Sequence, residues 1–140
     1  MTTFNDNRTP PIFDGHNDIL SLLYAKAENQ DGPVDIGQFA ASMSSHLDAD
    51  KIRQGGFAGG FFAIWVPSPI DPVNKRAQMS LPEYDLPLPS EISVDAALPV
   101  AMAQAAILHR MEADGHLTIC TTAASLAAAI KSGTLAAIMH

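Results

Sequence analysis

The most restrictive feature of this sequence is its alternation of apolar, strand-like runs with helical patterns. Four runs have the composition of strands, at residues 12–14, 58–66, 117–121 and 135–140. Helical patterns lie between them, at residues 18–27, from about 44 to 54, at 93–114 and at 123–132. Parallel strands need crossover connections, and these are usually helical. The alternation therefore predicts an α/β fold with a parallel sheet, in which the four strands lie in one wall.

Both an open, doubly wound sheet and a closed (β/α) barrel fit this pattern. No Gly-x-Gly-x-x-Gly or Gly-x-x-x-x-Gly-Lys turn follows a predicted strand, which weakens the nucleotide-binding versions. Barrels hold their ligands at the carboxyl ends of the strands. The segment 67–90 follows such an end and contains Pro67, Pro69, Pro72, Pro82, Pro87 and Pro89. We expect it to lack regular structure, either as a loop near the substrate or as a surface excursion.

Composition limits the partners that this chain is expected to have. The 47% hydrophobic and 16% charged content is typical of a globular, well-buried chain, and the net charge is −7. The basic residues are scattered, so we expect neither nucleic acid nor membrane as a partner.

No signal peptide is evident at the amino end, which favours the cytoplasm. The single cysteine, Cys120, lies in an apolar run and is interpreted as a buried core residue.

A polar cluster ends the first predicted strand, in the run Asp14-Gly15-His16-Asn17-Asp18. His16 and Asp18 are two residues apart, so at a strand end they project to the same side. An imidazole and a carboxylate that converge can be two ligands of zinc or of a similar ion. The alternative is that Asp18 caps the helix that follows.

The run 135–140 is apolar throughout, as expected for a strand that is buried on both faces. A strand of that kind needs neighbours for its backbone groups. We therefore expect residues 11–140 to be the N-terminal portion of a larger barrel that is incomplete at its carboxyl end. Residues 1–10 are expected to be a leader.

Four blocks in order resemble the membrane (renal-type) dipeptidase family, the M19 metallopeptidases. The first is the opening strand with its Asp14-Gly15-His16-Asn17-Asp18 signature. The others are residues 46–56, 59–67 and 131–140. Together the blocks span nearly the whole chain.

The resemblance implies a (β/α)8 TIM-type barrel with two zinc ions at its carboxyl end, in which His16 and Asp18 bind one zinc. It implies a zinc-dependent dipeptidase, which hydrolyses the peptide bond through a hydroxide activated by the metal pair. A bridging glutamate would fall just beyond His140, with the remaining ligands and the substrate-binding residues later still. It gives His140 no metal role, so we interpret His140 as a structural histidine or one that supports a ligand. Asp14 is expected either to orient a ligand or to cap a local turn.

Three alternatives remain open from the sequence. One is another amidohydrolase-type metal hydrolase, although those enzymes usually open with His-x-His and this chain has His16-Asn17-Asp18. Another is a non-catalytic barrel that has lost its metals, and the third is a fragment without independent function. The predicted partners are a small dipeptide substrate and, for the complete protein, a second copy in a homodimer. Residues 1–140 alone are expected to be inactive.

Overall fold

The computed structural model describes residues 10–28, 36–40, 46–69 and 75–140. Its strands are β1 (Ile12–Asn17), β2 (Phe57–Phe62), β3 (Thr118–Ile119) and β4 (Ala136–Met139). Its helices are α1 (Ile19–Glu28), α2 (Gly37–Ala40), α3 (Ala49–Gln54), α4 (Lys75–Met79), α5 (Val94–Ala113) and α6 (Ala123–Ser132). The predicted leader lies outside the described residues except for Pro10.

All recorded strand pairings are parallel, and the spatial order is β1-β2-β4-β3. The predicted α/β fold with helical crossovers is therefore confirmed, and it fits the N-terminal part of a barrel. The spatial order differs from the chain order, because the two-residue β3 pairs with the outer side of β4. β2 and β4 are consequently direct neighbours, with α4, α5, β3 and α6 in the connection between them.

The glycines of β2 allow its neighbours to approach closely. A Cβ built on Gly59 would lie 2.8 Å from Cβ of Ala136 and 2.9 Å from the Phe13 ring. A Cβ built on Gly60 would lie 2.9 Å from Cβ of Asp14. Real Cβ atoms do not come this close to other atoms, so a side chain at either position would push β1 or β4 away.

The main core lies between the sheet and the helices. Leu20 from α1, Phe62 from β2 and Leu108 from α5 are fully buried there. Helix ends follow the sequence signals: Thr122 and Ser125 form a capping box at α6, and Gly133 closes that helix with φ of 76°. Cys120 is buried, as predicted.

Several predicted boundaries shift. β1 extends to Asn17 rather than ending near Asp14, and the ladder of β2 ends at Phe62 rather than at residue 66. α3 begins at Ala49 because the Asp48 carboxylate accepts from the Lys51 N–H at 2.8 Å. The predicted start of this helix near residue 44 lies outside the described residues.

The expectation that residues 67–90 contain no regular helix is wrong, because α4 lies within them. Residues 75–79 contain no proline, and five residues are enough for a short helix between Pro72 and Pro82. No helix among the described residues is both long and apolar enough to cross a membrane.

Candidate metal centre at the carboxyl end of β1

His16 and Asp18 meet at the point where β1 gives way to α1. Nε2 of His16 lies 3.2 Å from Oδ1 of Asp18, and about half of each side chain is exposed. Asp18 directly precedes α1, and its backbone carbonyl accepts from the Leu22 N–H, whereas its carboxylate contacts His16 rather than a helix N–H. Both groups thus present donor atoms to the same small volume.

A bulge in β1 contributes to this arrangement. Asp14 pairs with Gly60 and Asn17 pairs with Phe62, so Gly15 and His16 together face the single residue Phe61. A bulge of this kind bends its strand and changes the direction of a side chain. His16 therefore lies on the part of β1 that departs from regular pairing.

The Asn17 side chain holds the bulge from within. Its Nδ2 donates to Oδ2 of Asp14 at 3.2 Å and to the Phe61 carbonyl at 3.1 Å. Its Oδ1 is buried and has no partner among the described residues. The Asp14 carboxylate thus accepts a hydrogen bond from Asn17, and the two roles considered for Asp14, orienting a ligand and capping a turn, stay predictions.

His140 lies beside the candidate ligand His16. Their ring centroids are 5.8 Å apart with an interplanar angle of 88°, and the Phe61 ring lies 5.7 Å from His140 on another side. The His140 backbone continues the pairing of β4 with the chain after β2, through Ile64 N–H to His140 O at 2.9 Å. The ring contact with His16 agrees with the interpretation of His140 as a histidine that supports a ligand.

Two hollows of about 470 Å³ each border the pair. One is lined by His16 and Asp18 with Ser21, Leu22 and Trp65. The other also borders the pair, and its lining includes Asp14, Asn17, His46 and Phe57. Hollows of this size are typical of sites for small molecules.

The donor set suits a zinc ion, since a neutral imidazole nitrogen and a carboxylate oxygen are both common zinc ligands. Their separation of 3.2 Å would allow both to bind one ion after a small adjustment. Within residues 10–28, 36–40, 46–69 and 75–140, no group of three or more His, Cys, Asp or Glu side chains comes together. The described part of the chain thus supplies two ligands, and the assignment of His16 and Asp18 stays a prediction.

The other histidines are further from this role. His46 lies in a bend rather than on a helix, and it borders the hollow that Asp14 and Asn17 also line. His109 is exposed on α5, and His116 packs against the Phe39 ring at 5.7 Å.

The model of the membrane dipeptidase family, peptidase family M19, matches residues 7–140. The chain belongs to this family. Solved structures agree: dipeptidase AC, a metallopeptidase of family M19, is 40% identical with a TM-score of 0.76 over 93% of this chain. A metallopeptidase from Rhodobacter sphaeroides, bound to a phosphinate mimic of the dipeptide L-Ala-D-Ala, is 42% identical with a TM-score of 0.79 over 95% of this chain.

A curated relative is an uncharacterized protein in the PQQ-III 3′ region of Acinetobacter calcoaceticus, which is 26% identical over 132 residues, or 93% of this chain. The chain spans 39% of that protein, 36% of dipeptidase AC and 38% of the Rhodobacter enzyme. It therefore corresponds to less than half of each of these relatives.

Two residues near the site were not singled out from the sequence. Trp65 borders the hollow next to His16 and Asp18, and Gln104 on α5 binds its backbone. A glutamine among the apolar positions of a long helix is the one sequence signal that could have pointed to Gln104.

Proposed function

We propose that this chain contributes one half of a zinc site to a metallo-dipeptidase. The observation that carries the proposal is the convergence of His16 and Asp18, 3.2 Å apart, at the carboxyl end of a parallel strand in an M19 chain. In α/β barrels this end of the strands bears the active site. For the complete protein, we also propose a closed barrel and a second zinc ion.

The proposed substrate is a dipeptide. Supporting it, the Rhodobacter relative binds a phosphinate mimic of L-Ala-D-Ala, and a hollow of about 470 Å³ beside His16 and Asp18 is of a size that suits so small a ligand. The apolar side chains of Leu22 and Trp65 line this hollow, so an apolar substrate side chain would find a matching surface.

Each residue of the pair has a distinct task in this proposal. Asp18 supplies negative charge to the ion, and His16 supplies a neutral nitrogen, which requires that the ring be held in one orientation. The His140 ring, which is itself in contact with the Phe61 ring, provides that support through its edge-to-face contact with His16. Zinc, when bound, polarises the scissile carbonyl and activates water at neutral pH.

The experiment replaces His16 and Asp18 separately by alanine in the full-length protein. We expect the zinc content to fall and kcat/KM for L-Ala-D-Ala to drop by more than about 100-fold, since even the loss of residues that only orient a ligand costs 10- to 100-fold. His109→Ala, which removes an exposed histidine from α5, is the matched control and should change neither quantity. Unchanged zinc content and hydrolysis in both site variants would contradict the assignment.

A second experiment concerns the 140-residue polypeptide by itself. A catalytic zinc typically needs three protein ligands and a water, and the described residues bring two together. We therefore expect this polypeptide to bind zinc weakly and to hydrolyse no dipeptide. Isothermal titration with zinc and an assay with L-Ala-D-Ala test this, and dipeptidase activity at full-length levels would refute it.

A further inference from the structure

Gln104 is a fully buried amide whose hydrogen bonds both go to the backbone of one residue. The Trp65 N–H donates to Oε1 of Gln104 at 2.9 Å, and Nε2 of Gln104 donates to the Trp65 carbonyl at 2.6 Å. Gln104 is 0% exposed and sits on α5 among core residues such as Ile107 and Leu108. Burial of an amide is unfavourable unless its polar atoms are paired, and here each is paired with Trp65.

The position of Trp65 in the chain explains why it needs such a partner. After β2 ends at Phe62, the Ala63 N–H still donates to the Asn17 carbonyl and the Ile64 N–H to the His140 carbonyl. For Trp65, the Gln104 amide takes the place of a neighbouring strand. The Gln104 side chain therefore extends the hydrogen-bonded part of the backbone after β2 by one residue, to Trp65.

Trp65 lies beside the candidate metal centre. It is 55% exposed and borders the same hollow as His16, Asp18 and Leu22. Only two rotatable torsions join the tryptophan ring to its backbone, so fixing the backbone N–H and carbonyl of Trp65 limits the positions that the ring can reach. The clamp by Gln104 thus acts on the wall of the hollow, although Gln104 itself is buried away from it.

We propose that Gln104 is a positioning residue, which holds Trp65 against the substrate's apolar side chain beside His16 and Asp18. The contact with substrate rests on the proposed dipeptidase function, whereas the clamp on Trp65 does not. In this role Gln104 contributes to substrate binding without touching the reacting atoms.

The test uses Gln104→Met in the full-length protein, since methionine has nearly the same size and removes both hydrogen bonds. We expect KM for dipeptides to rise about 3- to 10-fold, the size of one aromatic contact, with kcat changed less than about twofold and zinc content unchanged. Trp65 emission, isolated by subtracting the spectrum of Trp65→Phe, should shift and lose anisotropy. If Gln104→Met does not fold, Gln104→Asn withdraws the amide by one methylene and should act in the same direction.

Met111→Ala is the matched control, because Met111 is also fully buried on α5, about two turns away from Gln104. It should lower the melting temperature at least as much as Gln104→Met, yet leave Trp65 emission and KM unchanged. If both variants alter emission and KM alike, or if Gln104→Met lowers only the melting temperature, Gln104 has no more than a structural role and the proposal is overturned.

A double-mutant cycle separates the clamp from the proposed function. If Gln104 acts through the indole, Gln104→Met should raise KM no further once Trp65→Ala is present. Additive effects on KM would overturn the proposal. If the wild-type protein hydrolyses no dipeptide, the proposed function fails, while the emission and anisotropy of Trp65 still decide whether Gln104 positions it.

Discussion

The two neighbours of β2 pair with it in different ways. On one side, residues 59–62 of β2 match residues 136–139 of β4 one to one. On the other side, the register with β1 shifts twice: once where Ala58 is the extra residue of β2, and once where β1 has an extra residue opposite Phe61. The regular pairing carries core residues such as Phe62 and Ala137, whereas the irregular one carries His16.

Within this one sheet, the regular pairing of β2 with β4 serves stability, and the irregular pairing of β2 with β1 serves the candidate metal centre. Regular pairing buries the small side chains of β4 and allows close packing, which gives the sheet a fixed centre. Bulges cost regular ladder hydrogen bonds but turn a side chain toward a chosen point. In this chain the bulge lies where His16 must approach Asp18, so the irregularity is placed at the candidate metal centre.

The largest expected effect comes from breaking the close contact of β2 with both neighbours. In Gly59→Ala the new Cβ would meet the Ala136 carbonyl oxygen and the Phe13 ring. Overpacking typically lowers the free energy of unfolding by about 1–3 kcal/mol, and we expect this variant at the upper end because one of the contacts is a backbone atom. Urea unfolding followed by circular dichroism measures the loss.

Gly15→Ala is the control for that variant. Gly15 lies in β1, and a Cβ there would have nothing within 4 Å among the described residues. We expect a change within about 0.5 kcal/mol. Equal losses in the two variants would mean that the tight fit of β2 is not what stabilises the sheet.

A smaller effect is expected when the clamp on the bulge is removed. Asn17→Ala eliminates the hydrogen bonds from Nδ2 to Asp14 and to the Phe61 carbonyl. We expect a loss of about 1–2 kcal/mol and faster hydrogen exchange of the Ala63 N–H, which donates to the Asn17 carbonyl. Zinc affinity should also fall, because the bulge carries His16.

Ser132→Ala is the control for Asn17→Ala, since it removes a hydroxyl that donates to the Ala129 carbonyl far along the chain at the end of α6. It should change stability by less than about 0.5 kcal/mol and leave exchange at Ala63 as in the wild type. If Asn17→Ala does no more than this control, the bulge is held by the backbone alone.

The sequence was a good guide wherever a local signal decides the structure. Hydrophobic periodicity predicted the parallel α/β fold, and the helical pattern at residues 123–132 matches the bounds of α6. The short distance between His16 and Asp18 followed from their spacing, even though the strand around them is irregular. Each of these features depends on residues that are close in the chain.

What the sequence could not predict depends on partners far apart in the chain. The register shift at Asp14–Asn17 depends on how β1 meets β2, some 45 residues later. The position of β3 outside β4 depends on a two-residue pairing too short to leave a pattern. The clamp on Trp65 needs Gln104, 39 residues away, and no rule of periodicity connects them.

The smallest expected effect concerns the side-chain contact that crosses the irregular pairing. Phe13 pairs with Gly59, and its ring meets the diagonal neighbour Phe61 edge to face, with centroids 5.9 Å apart at 90°. A double-mutant cycle of Phe13→Leu and Phe61→Leu should give a coupling energy of about 0.5–1.5 kcal/mol. Phe13→Leu combined with Met102→Leu, on the exposed surface of α5, should be additive. A coupling near zero for the phenylalanine pair would mean that the bulged strand is held to β2 only by its backbone and by Asn17, and the contrast between the two sides of β2 would then be sharper than we infer.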